Sequence, residues 1–293
     1  MKNIFRGSGV ALVTPFNADY SIDFEGLREL VRLQLDNGTD FLVVQGTTGE
    51  SPVLTAAEKE QVLHTVMEEN AGRLKIVYGV GGNNTLEVGE KLTKVPAGVD
   101  GILSVSPYYN KPTQKGIVEH FKYLATKTEL PIILYNVPGR TGSNMLPATV
   151  AELAKIDNIV AVKEASGNME QIMDIINLAP EGFEVLSGDD ALTLPMIATG
   201  AVGVISVVAQ ALPEQFNKMV HLSLEGDFAS ARPLHLDLLN ITKMFFEEGN
   251  PGGVKASLEK RGILENIVRM PLQPISEDLT SRIYKETARI VGA

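Results

Sequence analysis

There is no cysteine in this 293-residue chain, which excludes disulfides, thiolate nucleophiles and zinc–thiolate centres and suits a reducing, cytoplasmic setting. No apolar run approaches the roughly 18 uninterrupted residues of a membrane-spanning helix, so no membrane partner is expected. The N-terminal MKNIFRGSGVALVTPF has a basic start and a short apolar stretch. Glycines interrupt that stretch and Thr14-Pro15 ends it without a small-residue cleavage site, so it reads as a first strand and not as a secretion signal. Basic excess is missing too. The formal charge of −10 is the wrong sign for neutralising phosphates, and no nucleic-acid partner is expected. The four histidines, His64, His120, His221 and His235, stand far apart without metal-ligand spacing. Surface or helix-packing roles are expected for them, and no metal.

What the chain does have is a series of short runs rich in Val, Ile and Leu without polar alternation: 9–16, 41–46, 76–82, 101–107, 131–136, 159–165, 183–188 and 203–209. Runs of this kind suit strands buried on both faces, as in a parallel sheet covered by helices. Amphipathic segments lie between them, one carrying Phe24, Leu27, Val31 and Leu35 on one face and another Val62, Leu63, Val66 and Met67. The second opens with Thr55-Ala56-Ala57-Glu58, a capping box. Eight strands alternating with helices predict an α/β fold, a closed (β/α)8 barrel. A doubly wound open sheet is the alternative, but neither GxGxxG nor GxxxxGK[ST] follows the first strand. Beyond residue 213 only helical patterns remain. The expected organisation is therefore a barrel over residues 1–225 and a layer of about three C-terminal helices over 226–293, packed on it.

In such a barrel chemistry belongs at the C-terminal ends of the strands. That rule selects Gly46-Thr47-Thr48-Gly49-Glu50-Ser51, Tyr108-Tyr109-Asn110, Tyr135-Asn136 with the loop Val137 to Gly142, Lys163, and Ser187-Gly188-Asp189-Asp190. Lys163, inside the apolar IVAVKEA, is expected to be buried, where an ammonium is disfavoured and a free amine can attack a ketone to form an imine. Snorkelling at a strand end is the ordinary alternative; Glu164, its chain neighbour, points to the opposite face and is a poor partner. Tyr135 could shuttle protons for an imine, or simply pack at the barrel mouth. Thr47 and Thr48 offer hydroxyls and amides suited to a carboxylate, as would any tight turn. Arg140 could fork onto a second carboxylate, or be solvated. Two aspartates make the SGDD turn unfit as a phosphate cradle.

Taken together, GTTGES, SPYYNKP, YNVPGRTG, VKEASGN, SGDD and GVISV resemble, in order and spacing, the dihydrodipicolinate synthase and N-acetylneuraminate lyase superfamily, on its synthase side. The resemblance runs from VTPF to the helical tail. It implies a lyase that condenses pyruvate with L-aspartate 4-semialdehyde to 4-hydroxy-tetrahydrodipicolinate, for diaminopimelate and lysine biosynthesis. By the same resemblance Lys163 forms the pyruvate Schiff base without other cofactor. Tyr135, Thr47 and Tyr109 form a proton relay, with Tyr109 reaching across from a neighbouring subunit. Thr47 and Thr48 hold the pyruvate carboxylate, Gly188 and Ile205 offer backbone groups, and Arg140 binds the aldehyde's carboxylate. A homodimer at least, and a homotetramer as the expected assembly, follow. Arg140 also separates synthases from sibling lyases that take polyhydroxy substrates. Ser51, Asn83 and Glu87 match parts of the family's lysine-feedback pocket. Ala56 and Lys59, however, replace its two histidines and Pro52 a small residue, so weak or absent feedback is expected. Two other readings remain: a pyruvate aldolase acting on another substrate such as a keto-deoxy sugar acid, and a catalytically silent barrel that senses a small acid.

Overall fold

The computed structural model describes residues 4–292. Eight strands, β1 (Gly7–Ala11), β2 (Phe41–Val44), β3 (Lys75–Gly79), β4 (Gly101–Val105), β5 (Ile132–Asn136), β6 (Ile159–Glu164), β7 (Glu184–Ser187) and β8 (Gly203–Ser206), pair in parallel and in chain order into a closed barrel. Closure rules out the doubly wound sheet. The seam is β1 against β8, Gly7 opposite Gly203. A Cβ on Gly203 would fall 2.0 Å from the Gly7 carbonyl oxygen, so no larger residue fits where the sheet closes.

The strands are buried along most of their length because both faces are covered, the exceptions being Lys75, Tyr78 and Gly79 on β3 and Val105 on β4. Phe41, Val43, Val77, Leu103, Ile133, Ala161, Leu186 and Ile205 fill the barrel interior. Leu42, Ile102, Ile132, Leu134, Val162, Val185 and Val204 meet the surrounding helices. Each such side chain contributes about 1.5–3 kcal/mol through burial. The two-residue period of a strand then decides the site. On β5 Ile133 and Tyr135 face inward, and on β6 Ala161 and Lys163 do, so Tyr135 and Lys163 stand in register at the upper end.

The helices begin where the sequence supplies caps. Asp23 accepts from the Gly26 amide to start Phe24–Asp36, and the Thr55–Glu58 capping box starts Ala56–Asn70. After β8 and the helix Pro213–Leu224 come three more helices, Phe228–Glu247, Gly252–Lys260 and Glu277–Val291. They form the appended layer: Phe228–Glu247 lies along Pro213–Leu224, and Ser257 Oγ bonds Thr287 Oγ1 at 2.8 Å. Among the described residues no helix is long and apolar enough to cross a membrane. The first strand differs from the run at 9–16: it begins at Gly7 and ends at Ala11. Leu12, Val13 and Phe16 are apolar because they are buried beyond the strand end.

Candidate active site

Lys163 is 6 % exposed and Tyr135 7 %. The lysine Nζ lies 4.4 Å from the tyrosine ring centroid, and no hydrogen bond or ion pair to Lys163 exists among the described residues. Its chain neighbour Glu164 faces away, as the strand period requires. The Glu164 carboxylate accepts from Asn136 Nδ2 at 2.9 and 3.2 Å and from the Ser166 amide at 2.8 Å. Burial raises its pKa, against the pull of those hydrogen bonds. Asn136 also donates to Asn144 Oδ1 at 2.8 Å and accepts from the Met145 amide at 3.0 Å. The end of β6 is thereby tied to the far end of the loop that carries Arg140.

Gly188, just past β7, donates its amide to the Glu164 carbonyl at 2.8 Å. A Cβ there would meet Ala165 Cβ at 2.8 Å, Lys163 Cε at 3.0 Å and the Glu164 carbonyl oxygen at 3.1 Å. Gly188 therefore lies directly against the lysine chain, and Ile205 lines the same interior from β8. The two aspartates after Gly188 serve the fold. Asp189 caps a turn through the Ala191 amide at 3.0 Å. Asp190 Oδ2 accepts from Val207 and Val208 amides at 3.0 and 3.2 Å. Burial pushes the Asp190 pKa up to about 6 despite these bonds.

Thr47 and Thr48 occupy a 3-10 turn after β2, Thr47 exposed and Thr48 buried. Arg140 stands exposed in the single helical turn Pro138–Thr141 after β5, with no acidic partner among the described residues. Tyr109 is 87 % exposed at φ 73°, a left-handed conformation uncommon for a bulky residue. Its amide is held by the Thr141 carbonyl at 3.4 Å. Within one chain, then, Lys163, Tyr135, Gly188 and Ile205 are brought together. Thr47 and Thr48 lie on the loop after β2 and Arg140 on the loop after β5, and no hydrogen bond joins Tyr135, Thr47 and Tyr109 among the described residues. At the residues that match parts of the family's feedback pocket, Ser51 opens a second 3-10 turn and Asn83 Nδ2 donates to the Tyr108 carbonyl at 3.2 Å. Glu87 pairs with Lys91 at 2.6 Å. Lys59 lies close enough that burial first, and Lys91 next, lower its pKa while Glu87 raises it. The four histidines sit on outer helices, His221 against Asp40 at 2.8 Å and His120 against Thr85 at 2.8 Å. Among the described residues no group of three or more His, Asp or Glu could hold a metal ion.

One set of residues escaped the sequence reading. Glu50 accepts from Lys255 Nζ at 2.6 Å and from the Arg269 amide at 2.9 Å, and Thr48 Oγ1 accepts from Asn250 Nδ2 at 3.0 Å. The available signal was a lysine among small residues just after Asn250-Pro251-Gly252-Gly253, a position too apolar for a solvated cation.

Comparison with known proteins extends this geometry across the chain. The family model described as "Dihydrodipicolinate synthetase family" matches residues 4–289. A protein of Flavobacterium psychrophilum named 4-hydroxy-tetrahydrodipicolinate synthase is 50 % identical over 281 residues, covering 95 % of this chain and 96 % of its own. A protein of the same name from Parabacteroides distasonis is 52 % identical over 271 residues, 92 % and 91 % of the two chains. The crystal structure of dihydrodipicolinate synthase from Aquifex aeolicus superposes with a TM-score of 0.94 at 43 % identity, covering 98 % of each chain. Sequence similarity and backbone agreement both span barrel and C-terminal layer alike, and the chain belongs to the dihydrodipicolinate synthetase family.

Proposed function

We propose that the chain condenses pyruvate with L-aspartate 4-semialdehyde to give 4-hydroxy-tetrahydrodipicolinate, the step its named relatives carry in diaminopimelate and lysine biosynthesis, by Schiff-base chemistry at Lys163. The observation that carries this reading is the buried Lys163, with its Nζ 4.4 Å above the Tyr135 ring and no ion pair to it among the described residues. Attack of the amine on the pyruvate carbonyl and loss of water give an imine. Its nitrogen draws electrons from the adjacent methyl group, which can then lose a proton and attack an aldehyde carbon. The imine is the electron sink, so no organic cofactor or metal is called for.

Tyr135, adjacent in register, is the group to move protons as water leaves. Thr47 and Thr48 hold the pyruvate carboxylate with hydroxyl and amide donors, while Gly188 and Ile205 present backbone groups beside the lysine. Arg140, a cation without an acidic partner, receives the carboxylate of the semialdehyde. It favours this substrate over a keto-deoxy sugar acid, whose hydroxyls need no guanidinium. The contact between Lys163 and Tyr135 supports an enzyme over a silent binding barrel, and a biosynthetic condensation of two small metabolites suits the cytoplasm.

Tyr109 completes the relay from a second copy of the chain. Its 87 % exposure, with Tyr108 and Leu86 also exposed, supports a homodimer at least, assembled further into a tetramer. Sedimentation of the native chain should show no monomer at working concentrations, and a monomer with full activity would remove Tyr109 from the mechanism.

Borohydride added with pyruvate should fix the mass of a reduced pyruvyl group on the Lys163 peptide. An unlabelled lysine there would overturn the mechanism. Product formation with aspartate semialdehyde against N-acetylmannosamine then ranks the two substrate classes.

A further inference from the structure

The turn bearing Thr47 and Thr48 is short, yet its anchors lie far away in sequence. Glu50 follows it at φ 52°, between the 3-10 turns Thr47–Gly49 and Ser51–Val53. A glutamate in this left-handed conformation persists when its surroundings over-determine it. Here they do. Glu50 Oε1 meets Lys255 Nζ at 2.6 Å, 205 positions along the chain, and Oε2 accepts from the Arg269 amide at 2.9 Å, 219 positions along.

The lysine is equally committed. Its Nζ also donates to the Ile267 carbonyl at 2.6 Å and lies 4.3 Å from the Phe16 ring centroid. The Lys255 and Glu50 side chains are 0 % and 1 % exposed. Burial pulls the Lys255 pKa down to about 8, with Glu50 opposing. A buried pair with both carboxylate oxygens bonded and the ammonium held by two hydrogen bonds and an aromatic ring is weak evidence for stability but suits fixing a geometry.

The second anchor acts on Thr48 itself. Asn250 Nδ2 donates to Thr48 Oγ1 at 3.0 Å. A hydroxyl whose oxygen already accepts one bond keeps its own proton for another acceptor. Asn250 thus leaves Thr48 poised as a donor, the role a substrate carboxylate requires.

We infer that the appended C-terminal layer sets the pyruvate-binding turn through a buried clamp, in which Glu50, Lys255 and Asn250 are positioning residues: the ion pair fixes the turn and Asn250 fixes the Thr48 hydroxyl. The role assigned to Thr48 rests on the pyruvate reading above; the clamp itself does not. It gives the helix Gly252–Lys260 and the loops on either side of it a task at the site.

The test is a pair of variants, Lys255→Met and Lys255→Met/Glu50→Gln, with Asn250→Ala and Asn250→Asp beside them. Removing one partner strands a buried charge, whereas removing both is near neutral for stability, so the double variant should recover the melting temperature. Amide exchange over residues 46–53 should nonetheless stay accelerated by about tenfold or more in the double variant, with the barrel strands unchanged. Its pyruvate KM should stay raised by roughly tenfold while the semialdehyde KM holds. An aspartate can only accept, and would capture the Thr48 proton, so Asn250→Asp should raise the pyruvate KM more than Asn250→Ala.

Normal exchange at 46–53 in a folded double variant overturns the clamp, whatever becomes of the pyruvate reading. Full recovery of the pyruvate KM together with the melting temperature assigns the pair to stability alone and overturns its positioning role. A reversed order of the Asn250 variants removes that residue from the inference. Failure of borohydride trapping in the unaltered chain sinks the pyruvate reading instead, leaving the exchange measurement to decide the clamp.

Discussion

Gly188 offers the sharpest test of the site's geometry, because a single methyl group placed there meets the lysine. In Gly188→Ala the new Cβ would fall 2.8 Å from Ala165 Cβ, 3.0 Å from Lys163 Cε and 3.1 Å from the Glu164 carbonyl oxygen. Carbon atoms settle about 3.5–4.0 Å apart, so relief requires about 0.5–1 Å of movement. Gly188 is not among the residues at positive φ, so the alanine is not excluded by backbone strain. Of the three contacts, Ala165 Cβ and the Glu164 oxygen give way only by a shift of the backbone at the end of β6, the strand that carries Lys163. Lys163 Cε, near the tip of a flexible chain, yields more easily still, so either adjustment moves the attacking amine. Displacing a reacting group by that much lowers kcat/KM by about 10- to 100-fold, or about 1.4–2.7 kcal/mol. Overpacking should destabilise the fold by only about 1–3 kcal/mol, so the variant remains folded. Steady-state kinetics, the rate of borohydride trapping and a melting curve separate these effects. A folded Gly188→Ala enzyme with unchanged kcat/KM and trapping rate would refute the placement of Gly188 against the reactive lysine.

Arg140→Ala should raise the KM for aspartate semialdehyde by about 10- to 100-fold, the worth of a charge-assisted contact, while the pyruvate KM and lysine trapping hold. Loss of pyruvate affinity instead would put the guanidinium on the wrong substrate. L-Lysine at millimolar concentration should leave the initial rate unchanged. The Glu87 carboxylate is already paired with Lys91 at 2.6 Å and Lys59 repels a cationic effector, so micromolar inhibition in a steady-state assay would contradict this account. Asp190 titrates at about 6 in the fold against a reference of 3.8. Its protonation therefore stabilises the fold fully below the reference value, and that contribution, about 1–3 kcal/mol, is lost as pH rises through about 6. Asp190→Asn keeps an acceptor for the Val207 and Val208 amides and cannot ionise. Its melting temperature should match the parent near about pH 4 and exceed it increasingly toward about pH 7, and a pH-independent difference would contradict the assignment.

The parts of this molecule that follow from local pattern were legible in the sequence. IVAVKEA reads as a strand buried on both faces, and its two-residue period puts Lys163 and Glu164 on opposite faces, as the structure has them. The Thr55–Glu58 box marks a helix start because both partners lie within one turn. The first strand was misjudged because apolarity reports burial, not extension: Leu12, Val13 and Phe16 are buried past the strand end. The inferred clamp on the Thr47–Thr48 turn was invisible for a different reason. Glu50 and Lys255 are 205 positions apart, and an ion pair leaves no periodic trace by which either residue predicts the other. The Asn136–Glu164 bond was hidden likewise, since the strand pairing that aligns them is set by barrel register. Tyr109 lies beyond both kinds of reasoning, because its projection from the surface gains meaning only against a second chain.

Charge links these observations to the substrates. Both proposed substrates carry a carboxylate, and the chain as a whole is acidic at −10, so the site must be made attractive locally. Four acids stand within two residues of the proposed binding groups: Glu50 after Thr48, Glu164 beside Lys163, and Asp189 and Asp190 after Gly188, Asp189 accepting from the Ala191 amide. None is left facing substrate. Glu50 is neutralised by Lys255, Glu164 is turned behind the strand onto Asn136, and Asp190 is turned onto two backbone amides. A carboxylate left free at about 5 Å from a bound anion would repel it by about 3 kcal/mol at an effective dielectric constant near 20, about two orders of magnitude in affinity. The acids thus serve the proposed binding by where they are not, and they leave Arg140 as the charge that the proposed substrates would meet.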